Sequence, residues 1–347
     1  MRKIRIILLV TLSLAFIFGS ANYFTRRSQP ALIHLYGEVH GLDAHFIHHF
    51  YRWKYYYTYH GMRHLFIEMP FYHSFLLNLW MEEEDDKILQ FLFDDIRGQY
   101  ADTATRWDFY QRIKAELPNT IFHGVDMGIP GGPLAKFMFH EHVLEDSDEF
   151  NIIQDNIMIT QFFYDRFQQS LAFRSVVMSR NFATLFNRLN NESVMGIFGA
   201  AHVEFGEYYY FVGGGTTLAS LLAEKFGYDN IHSTNLLYLP GVPDVIEIAG
   251  IEHSAMFFGG LDLSYWRVDS PSIRFAFWRL DNPQVFKGFT YTGGAWPTDR
   301  MPIRAEIGQV FAIEYTLRDG AANMVILRAS GHYINYDVPV ISELLIE

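Results

Sequence analysis

The chain of 347 residues contains no cysteine. That absence excludes disulfide frameworks, thiolate nucleophiles and zinc sites built on sulfur, and it leaves any metal ion to histidine, aspartate and glutamate. Fifteen histidines are available for that role. The sequence also lacks a Gly-x-Ser-x-Gly elbow, a Walker loop, a His-Glu-x-x-His pair and a dinucleotide fingerprint. Any site must therefore be assembled from residues that are scattered along the chain.

Positive charge is scarce as well. The chain has 27 Lys and Arg residues against 39 Asp and Glu residues, a net charge of -12 and a pI near 5.6. Such a chain presents no large basic face, so we expect no nucleic-acid partner. Half of the residues are hydrophobic and only 19% are charged, which excludes a disordered chain. The composition predicts a globular protein with a sizeable core.

One long uncharged run stands at the N terminus. Three basic residues precede an uncharged stretch over 6–25, and Gly19 and Ala21 in its second half fit a signal-peptidase site. This pattern predicts a signal peptide over 1–27. The alternative is an uncleaved membrane anchor, because the stretch is about as long as a bilayer requires and Arg26 follows it. In both cases we expect the remainder outside the cytoplasm, in the periplasm or secreted.

Beyond this segment, short apolar runs alternate with longer amphipathic stretches. The pattern is typical of βα units and predicts an α/β fold with a mostly parallel central sheet flanked by helices. The apolar runs that predict strands are 31–36, 64–68, 120–125 and 194–198. The end of the chain favours further strands separated by turns. We therefore predict an α/β core over 28–240 and a β-rich extension over 241–347, which is either separate or part of the same domain.

Polar side chains stand at the carboxyl end of each predicted strand. In chain order they are Glu38 and His40, Glu68, Asp126, and His202. Ligands of open parallel sheets bind outside the carboxyl ends of the strands, so we expect these residues to form one site. Of these, His40, Glu68, Asp126 and His202 are candidate ligands of a divalent metal that activates water. Without a metal, the same residues still provide a histidine or glutamate base.

Three further histidines follow the first strand on a predicted helix. His45, His48 and His49 are three and four residues apart, a spacing that brings His45 onto one face with both others and can bind metal. The alternative is a solvated helix face rich in aromatic residues, and we favour it for two of the three.

Several of these segments resemble a known superfamily. The segments 35–41, 48–49 and 66–69, which contain Gly37-Glu38-Val39-His40, His48-His49 and Glu68, are similar to the opening of ChaN-like haem-binding lipoproteins and erythromycin esterase-like proteins. These belong with the Tiki and TraB proteases to one superfamily. Its members pair an early Gly-x-x-His with a distant second one, which this chain has at Gly199 to His202. Arg180 precedes the second motif as an arginine does in the family.

The resemblance covers about residues 31–240 and implies a hydrolase with its site at the sheet rim. Carried over by motif, it makes Glu38, His40, Glu68 and His202 the catalytic residues and Arg180 a carboxylate or oxyanion partner. We therefore expect cleavage of an ester or amide bond in a small-molecule or peptide substrate, assisted by a divalent metal ion. The alternative is a haem- or iron-binding protein of the ChaN type, favoured by the many Tyr and His side chains. The lipid anchor of those lipoproteins does not transfer, because it needs a cysteine.

Overall fold

A computed structural model gives the fold of most of the chain. The described residues are 31–97, 103–127, 147, 151–152, 154–155, 158–162, 170–207, 215–238, 241–262, 272–286, 291–296, 306–334 and 338–344. The segment predicted to be a signal peptide or anchor lies outside them. Among the helices of these ranges, none is both long enough and apolar enough to cross a membrane.

A parallel sheet of five strands forms the first part of the described chain. The strands are β1 (Ile33–Glu38), β2 (His64–Pro70), β3 (Ile121–Asp126), β4 (Val194–Gly199) and β5 (Ile231–Asn235), in the spatial order β3-β2-β4-β1-β5. The α/β prediction is confirmed. The apolar runs predict the first four strands but not β5, because this edge strand has one buried residue and no apolar run.

Helices cover both faces of this sheet. They are α1 (Asp43–Tyr59), α2 (Phe71–Glu82), α3 (Lys87–Asp95), α4 (Ala104–Glu116), α5 (Leu171–Phe186), α6 (Ala200–Val203) and α7 (Leu218–Phe226). On one face, Trp53 and Trp80 from α1 and α2 belong to a core that α3 and α4 complete. On the other face, Phe182 and Leu222 from α5 and α7 form the second core. Apolar burial on both faces explains why the strands read as continuous apolar runs.

The later strands form an antiparallel sheet of seven. They are β6 (Val242–Ile248), β7 (Ile251–Asp262), β8 (Ser272–Leu280), β9 (Tyr291–Trp296), β10 (Val310–Leu317), β11 (Ala322–Ile334) and β12 (Val338–Leu344), in the order β6-β7-β8-β10-β11-β12-β9. The β-rich character of the extension is confirmed. Whether it is a separate domain stays a prediction.

The antiparallel sheet packs on the loop between β1 and α1. Leu42, at the end of that loop, is 2% exposed and belongs to one apolar cluster with Phe258, Phe311 and Leu327. Gly259 adopts a positive φ of 99°, and a Cβ there would lie 2.9 Å from the Cβ of Ala44, so the backbone of β7 approaches α1 closely. The second sheet therefore holds the chain segment that directly follows the end of β1.

This packing predicts a large effect of one truncation. Leu42→Ala is expected to lower the free energy of unfolding by about 2–5 kcal/mol, because it leaves a cavity between the second sheet and the loop. Urea unfolding followed by circular dichroism measures the change. The matched control is Ile47→Ala, since this side chain on α1 is 50% exposed and its truncation should cost about 0.5 kcal/mol or less. Equal losses in both variants would contradict the packing argument.

Candidate active site

The two Gly-x-x-His segments lie side by side at one rim of the parallel sheet. Glu38 ends β1 and pairs in register with Gly199, which ends the neighbouring strand β4. Gly37 allows α6 to approach β1, because a Cβ at this position would lie 2.2 Å from Val203 Cγ2 and 2.9 Å from Ala200 Cα. Gly37 is thus explained by close packing, and the side chains that follow the two glycines share one rim.

The Glu38 carboxylate is buried between two histidines. Its Oε1 lies 2.9 Å from His40 Nδ1, and its Oε2 lies 3.0 Å from His49 Nε2. Burial raises the pKa of Glu38, but the hydrogen bonds with His40 and His49 and their charges lower it to about 2. The carboxylate is therefore ionised at neutral pH and only accepts hydrogen bonds. Both histidine nitrogens that face it must carry a proton.

That proton fixes the tautomer of His40. With the proton on Nδ1, the neutral ring has its lone pair on Nε2, which lies 3.9 Å from Glu68 Oε1. The His40 side chain is 40% exposed, so solvent reaches the ring. Burial lowers the pKa of His40, but the hydrogen bond with Glu38 and the charges of Glu68 and Glu38 raise it above its usual value of 6.5. The ring is therefore a strengthened base held in one orientation.

Of the other two histidines at the start of α1, His45 supports this arrangement and His48 does not. His45 Nδ1 accepts a hydrogen bond of 2.9 Å from the backbone N–H of Val39, which fixes the loop between Glu38 and His40. Burial, followed by the charge of His49, lowers the pKa of His45 to about 3, so this ring is neutral. The ring of His48 lies against Tyr36 instead, with 5.9 Å between ring centres.

Glu68, at the end of β2, contacts the second Gly-x-x-His segment. Its Oε2 accepts a hydrogen bond from the backbone N–H of Gly199. Its Oε1 lies 2.7 Å from Arg174 Nη2 and 3.5 Å from His202 Nε2. Burial raises the pKa of Glu68, but the charges of Arg174, His202 and His40 lower it well below its usual range. Glu68 is thus a second buried carboxylate that is ionised.

His202 lies at the back of the site. His202 is 3% exposed, and its Nδ1 is 3.1 Å from the hydroxyl of Ser175. Ser175 is fully buried, so its hydroxyl is not accessible to a substrate. The histidine therefore connects α6 to α5 and to Glu68.

Arg174, in the first turn of α5, joins the two remaining carboxylates. Its Nε lies 3.0 Å from Asp126 Oδ1 and its Nη2 lies 2.5 Å from Asp126 Oδ2. The same Nη2 contacts Glu68. A guanidinium that binds two oxygens of one carboxylate in this way forms a strong and directional ion pair. Arg174 therefore ties the ends of β2 and β3 together while its side chain stays 28% exposed.

A second guanidinium, that of Arg106, lies in the first turn of α4. The residue is 8% exposed, and its Nη2 is 3.3 Å from the hydroxyl of Tyr110. Burial lowers the pKa of Arg106, but Tyr110 and the charges of Glu38 and Glu68 raise it. The two arginines therefore offset two of the three negative charges that Glu38, Glu68 and Asp126 bring to the site.

The structure brings together five of the six candidates: Glu38, His40, Glu68, Asp126 and His202. The sixth, Arg180, is exposed, and its Nη2 donates to the side-chain oxygen of Asn181. A position six residues after Arg174 lies on a different face of the helix. Its role as a carboxylate or oxyanion partner stays a prediction. Sequence reasoning missed Arg174 and Arg106. The sequence does contain a signal for both. Each lies in the first turn of a helix, where the helix dipole disfavours a positive charge, so an arginine at this position indicates a carboxylate nearby.

The residues as arranged do not fit a metal ion. The guanidinium of Arg174 is bound to both Glu68 and Asp126, so a positive charge already lies between the two carboxylates that would have to bind the metal. In the described part of the chain, no group of three or more His, Asp or Glu residues is arranged to hold a metal. The predicted metal ligands His40 and His202 remain candidates only, and metal or haem binding stays a prediction.

The protonation of these groups predicts loss of stability in acid. The unfolded chain protonates His45 below pH 6.5, whereas the folded chain does so only near pH 3. Unfolding therefore takes up a proton between these values, and the free energy of unfolding decreases as the pH is lowered. Glu38 adds a loss below about pH 4.5 that continues towards pH 2. Urea unfolding at several pH values measures the slope, which His45→Gln should reduce by up to about 1.4 kcal/mol per pH unit. An unchanged slope in His45→Gln, compared with the exposed control His60→Gln, would contradict this assignment.

Comparisons with known proteins give similarity to solved structures alone. No protein-family model and no curated protein matches the chain. A crystal structure of a Bacillus cereus protein covers 92% of this chain and 86% of its own, at 13% identity and a TM-score of 0.47. A mutant of the erythromycin esterase EreC in its open conformation covers 69% of this chain and 79% of its own, at 11% identity and a TM-score of 0.44. The alignment with a succinoglycan biosynthesis protein covers 59% of this chain and 65% of that protein, at 12% identity and a TM-score of 0.44.

Proposed function

We propose that the chain is a hydrolase in which His40 is the general base that activates water for attack on an ester or amide carbonyl. The observation that carries this proposal is the 2.9 Å contact between Glu38 Oε1 and His40 Nδ1. An ionised carboxylate on Nδ1 leaves Nε2 as the basic atom, as in the acid–base pairs of acyl-transfer enzymes. The 40% exposure of the His40 side chain gives water and substrate access to that atom.

The proposed reaction uses the groups of the site in a fixed order. Water attacks the carbonyl carbon while its proton moves to His40 Nε2, and Glu38 stabilises the imidazolium that forms. The positive charge of Arg174, which is partly exposed, stabilises the oxyanion of the tetrahedral intermediate. His40 then gives its proton to the leaving oxygen or nitrogen as the carbonyl bond breaks. The protein is regenerated with no covalent intermediate and no change of oxidation state.

Water is the nucleophile in this proposal because, among the described residues, none that contacts these histidines is an accessible nucleophile. The chain has no cysteine, and Ser175, which contacts His202, is fully buried. An erythromycin esterase is by its name an ester hydrolase, the same class of reaction, but the proposal rests on the geometry of this site. We further propose an extracytoplasmic location and a small-molecule or peptide substrate, on the grounds of the N-terminal sequence and the open rim.

The pH profile of a Glu38 variant tests the proposed base. Activity requires neutral His40, so kcat/KM of the wild type should rise with pH through a pKa above 6.5. Glu38→Gln removes the carboxylate that raises this pKa, so the rise should shift to lower pH while the plateau falls about 100-fold. Hydrolysis of a panel of chromogenic esters and peptide anilides, including p-nitrophenyl acetate, provides the rates.

His40→Ala and the exposed-residue variant His60→Ala serve as matched controls. The first should abolish the activity that shows this pH dependence, and the second should leave it unchanged. A pH profile of Glu38→Gln with the wild-type midpoint would contradict the role of Glu38. Retained activity in His40→Ala would contradict the proposed base.

Chelation separates this proposal from the metal-assisted alternative. Treatment with EDTA is expected to change neither the hydrolysis rate nor the melting temperature, because Arg174 supplies the positive charge between Glu68 and Asp126. A metal that binds only the folded state would stabilise it, so its removal would lower the melting temperature. Loss of activity that an added divalent ion restores would favour the metal-assisted mechanism. An absorbance titration with haem tests the binding-protein alternative on the same sample.

A further inference from the structure

One side of α1 exposes a row of large side chains. Ile47, Tyr51, Tyr55 and Tyr59 follow one another at intervals of four residues and are 50%, 58%, 45% and 75% exposed. Residues four apart lie on the same side of a helix, so these four form one continuous strip, which we call the tyrosine face. The proposed reaction does not use it, since the contacts of α1 with the active site come from His45 and His49 on the buried side.

The tyrosine face runs towards the end of the fold where the chain enters. The hydroxyl of Tyr56 lies 3.2 Å from Nδ1 of His34, the second residue of β1, so the last turn of α1 lies beside the start of the first strand. The uncharged stretch over 6–25 ends eight residues before Ile33. Eight residues reach about 28 Å when fully extended. A bilayer that contains this stretch would therefore lie within reach of the C-terminal half of the tyrosine face.

The charge around the tyrosine face differs from that of the whole chain. Acidic residues outnumber basic ones by 39 to 27 overall, but residues 44–59 contain no acidic residue and two basic ones, Arg52 and Lys54. The carboxylate of Glu116 pairs with Lys54. Residues 44–59 of this helix can therefore approach anionic headgroups without repulsion from acidic side chains of their own.

We propose that the 6–25 segment is retained as a membrane anchor and that the C-terminal half of the tyrosine face, Tyr55 and Tyr59, lies in the headgroup region of the bilayer that it enters. Tyrosine suits this environment because its ring is apolar and its hydroxyl stays in contact with water, and it is enriched at membrane interfaces for this reason. The 17 residues of α1 span about 25 Å. Glu38 and His40 lie near the beginning of α1, so contact of Tyr59 with lipid leaves the rim with His40 at the opposite end of this helix, away from the bilayer.

Fluorescence quenching by lipids tests the proposed orientation. Because the chain has no cysteine, Tyr55→Cys and Tyr59→Cys each accept one fluorescent label at a single position. The full-length chain is reconstituted into phosphatidylcholine and phosphatidylglycerol vesicles that carry a nitroxide near the headgroup. The matched control is Val176→Cys, which is 54% exposed on α5. We expect quenching at positions 55 and 59 to be at least about threefold stronger than at 176, with wild-type melting temperatures for all variants.

Two results would overturn the proposal. Equal quenching at 55, 59 and 176 would show that the tyrosine face has no preferred contact with lipid. Self-quenching between labels at 55 that grows with protein density, without quenching by the nitroxide lipid, would identify a second copy of the chain as the partner of this face.

Discussion

The buried carboxylate of Glu38 needs hydrogen-bond donors, and the positions of the neighbouring residues follow from this need. An ionised group in the protein interior costs several kcal/mol unless donors satisfy both of its oxygens, and His40 and His49 donate one hydrogen bond to each. His49 can do so only if α1 lies over the end of β1. The hydrogen bond from Val39 to His45 then fixes the loop between these elements. The orientation of His40 is therefore a consequence of satisfying one buried charge.

The need to neutralise buried carboxylates also explains the contacts of Glu68 and Asp126. Glu68 and Asp126 end neighbouring strands and would repel each other without a cation between them. Arg174 supplies that cation and contacts both, so removing it would leave two buried or nearly buried carboxylates without their main partner. An arginine also provides positive charge that needs no deprotonated ligand set, unlike a metal ion. Arg174 thus occupies the position between Glu68 and Asp126 that a metal ion would need, which is the basis for proposing a mechanism without a metal.

The sequence predicts those parts of this arrangement that depend on local pattern. Apolar runs locate four strands of the parallel sheet, and because parallel strands end at a common rim, the residues that follow them are found together. The arginines depend on long-range contacts instead: Glu68 and Arg174 are 106 positions apart, and no spacing rule links them. The choice between Arg174 and Arg180 depends on helix phase, which is set by the burial of Met178 and Phe182 against the sheet. The edge strand β5 was missed because an edge has little apolar surface to bury.

The two ends of the helix α1 have different surroundings. Its beginning follows Leu42, which the antiparallel sheet encloses, and this end must be rigid since it carries the histidines that hold Glu38. Its other end lies beside the start of β1 and exposes tyrosines to the surroundings. A rigid helix between them keeps His40 at a fixed distance from the surroundings of Tyr59. With lipid at Tyr59, as proposed, a substrate reaches His40 from the aqueous side, so the proposed hydrolase would act on soluble esters or peptides rather than on bilayer lipids.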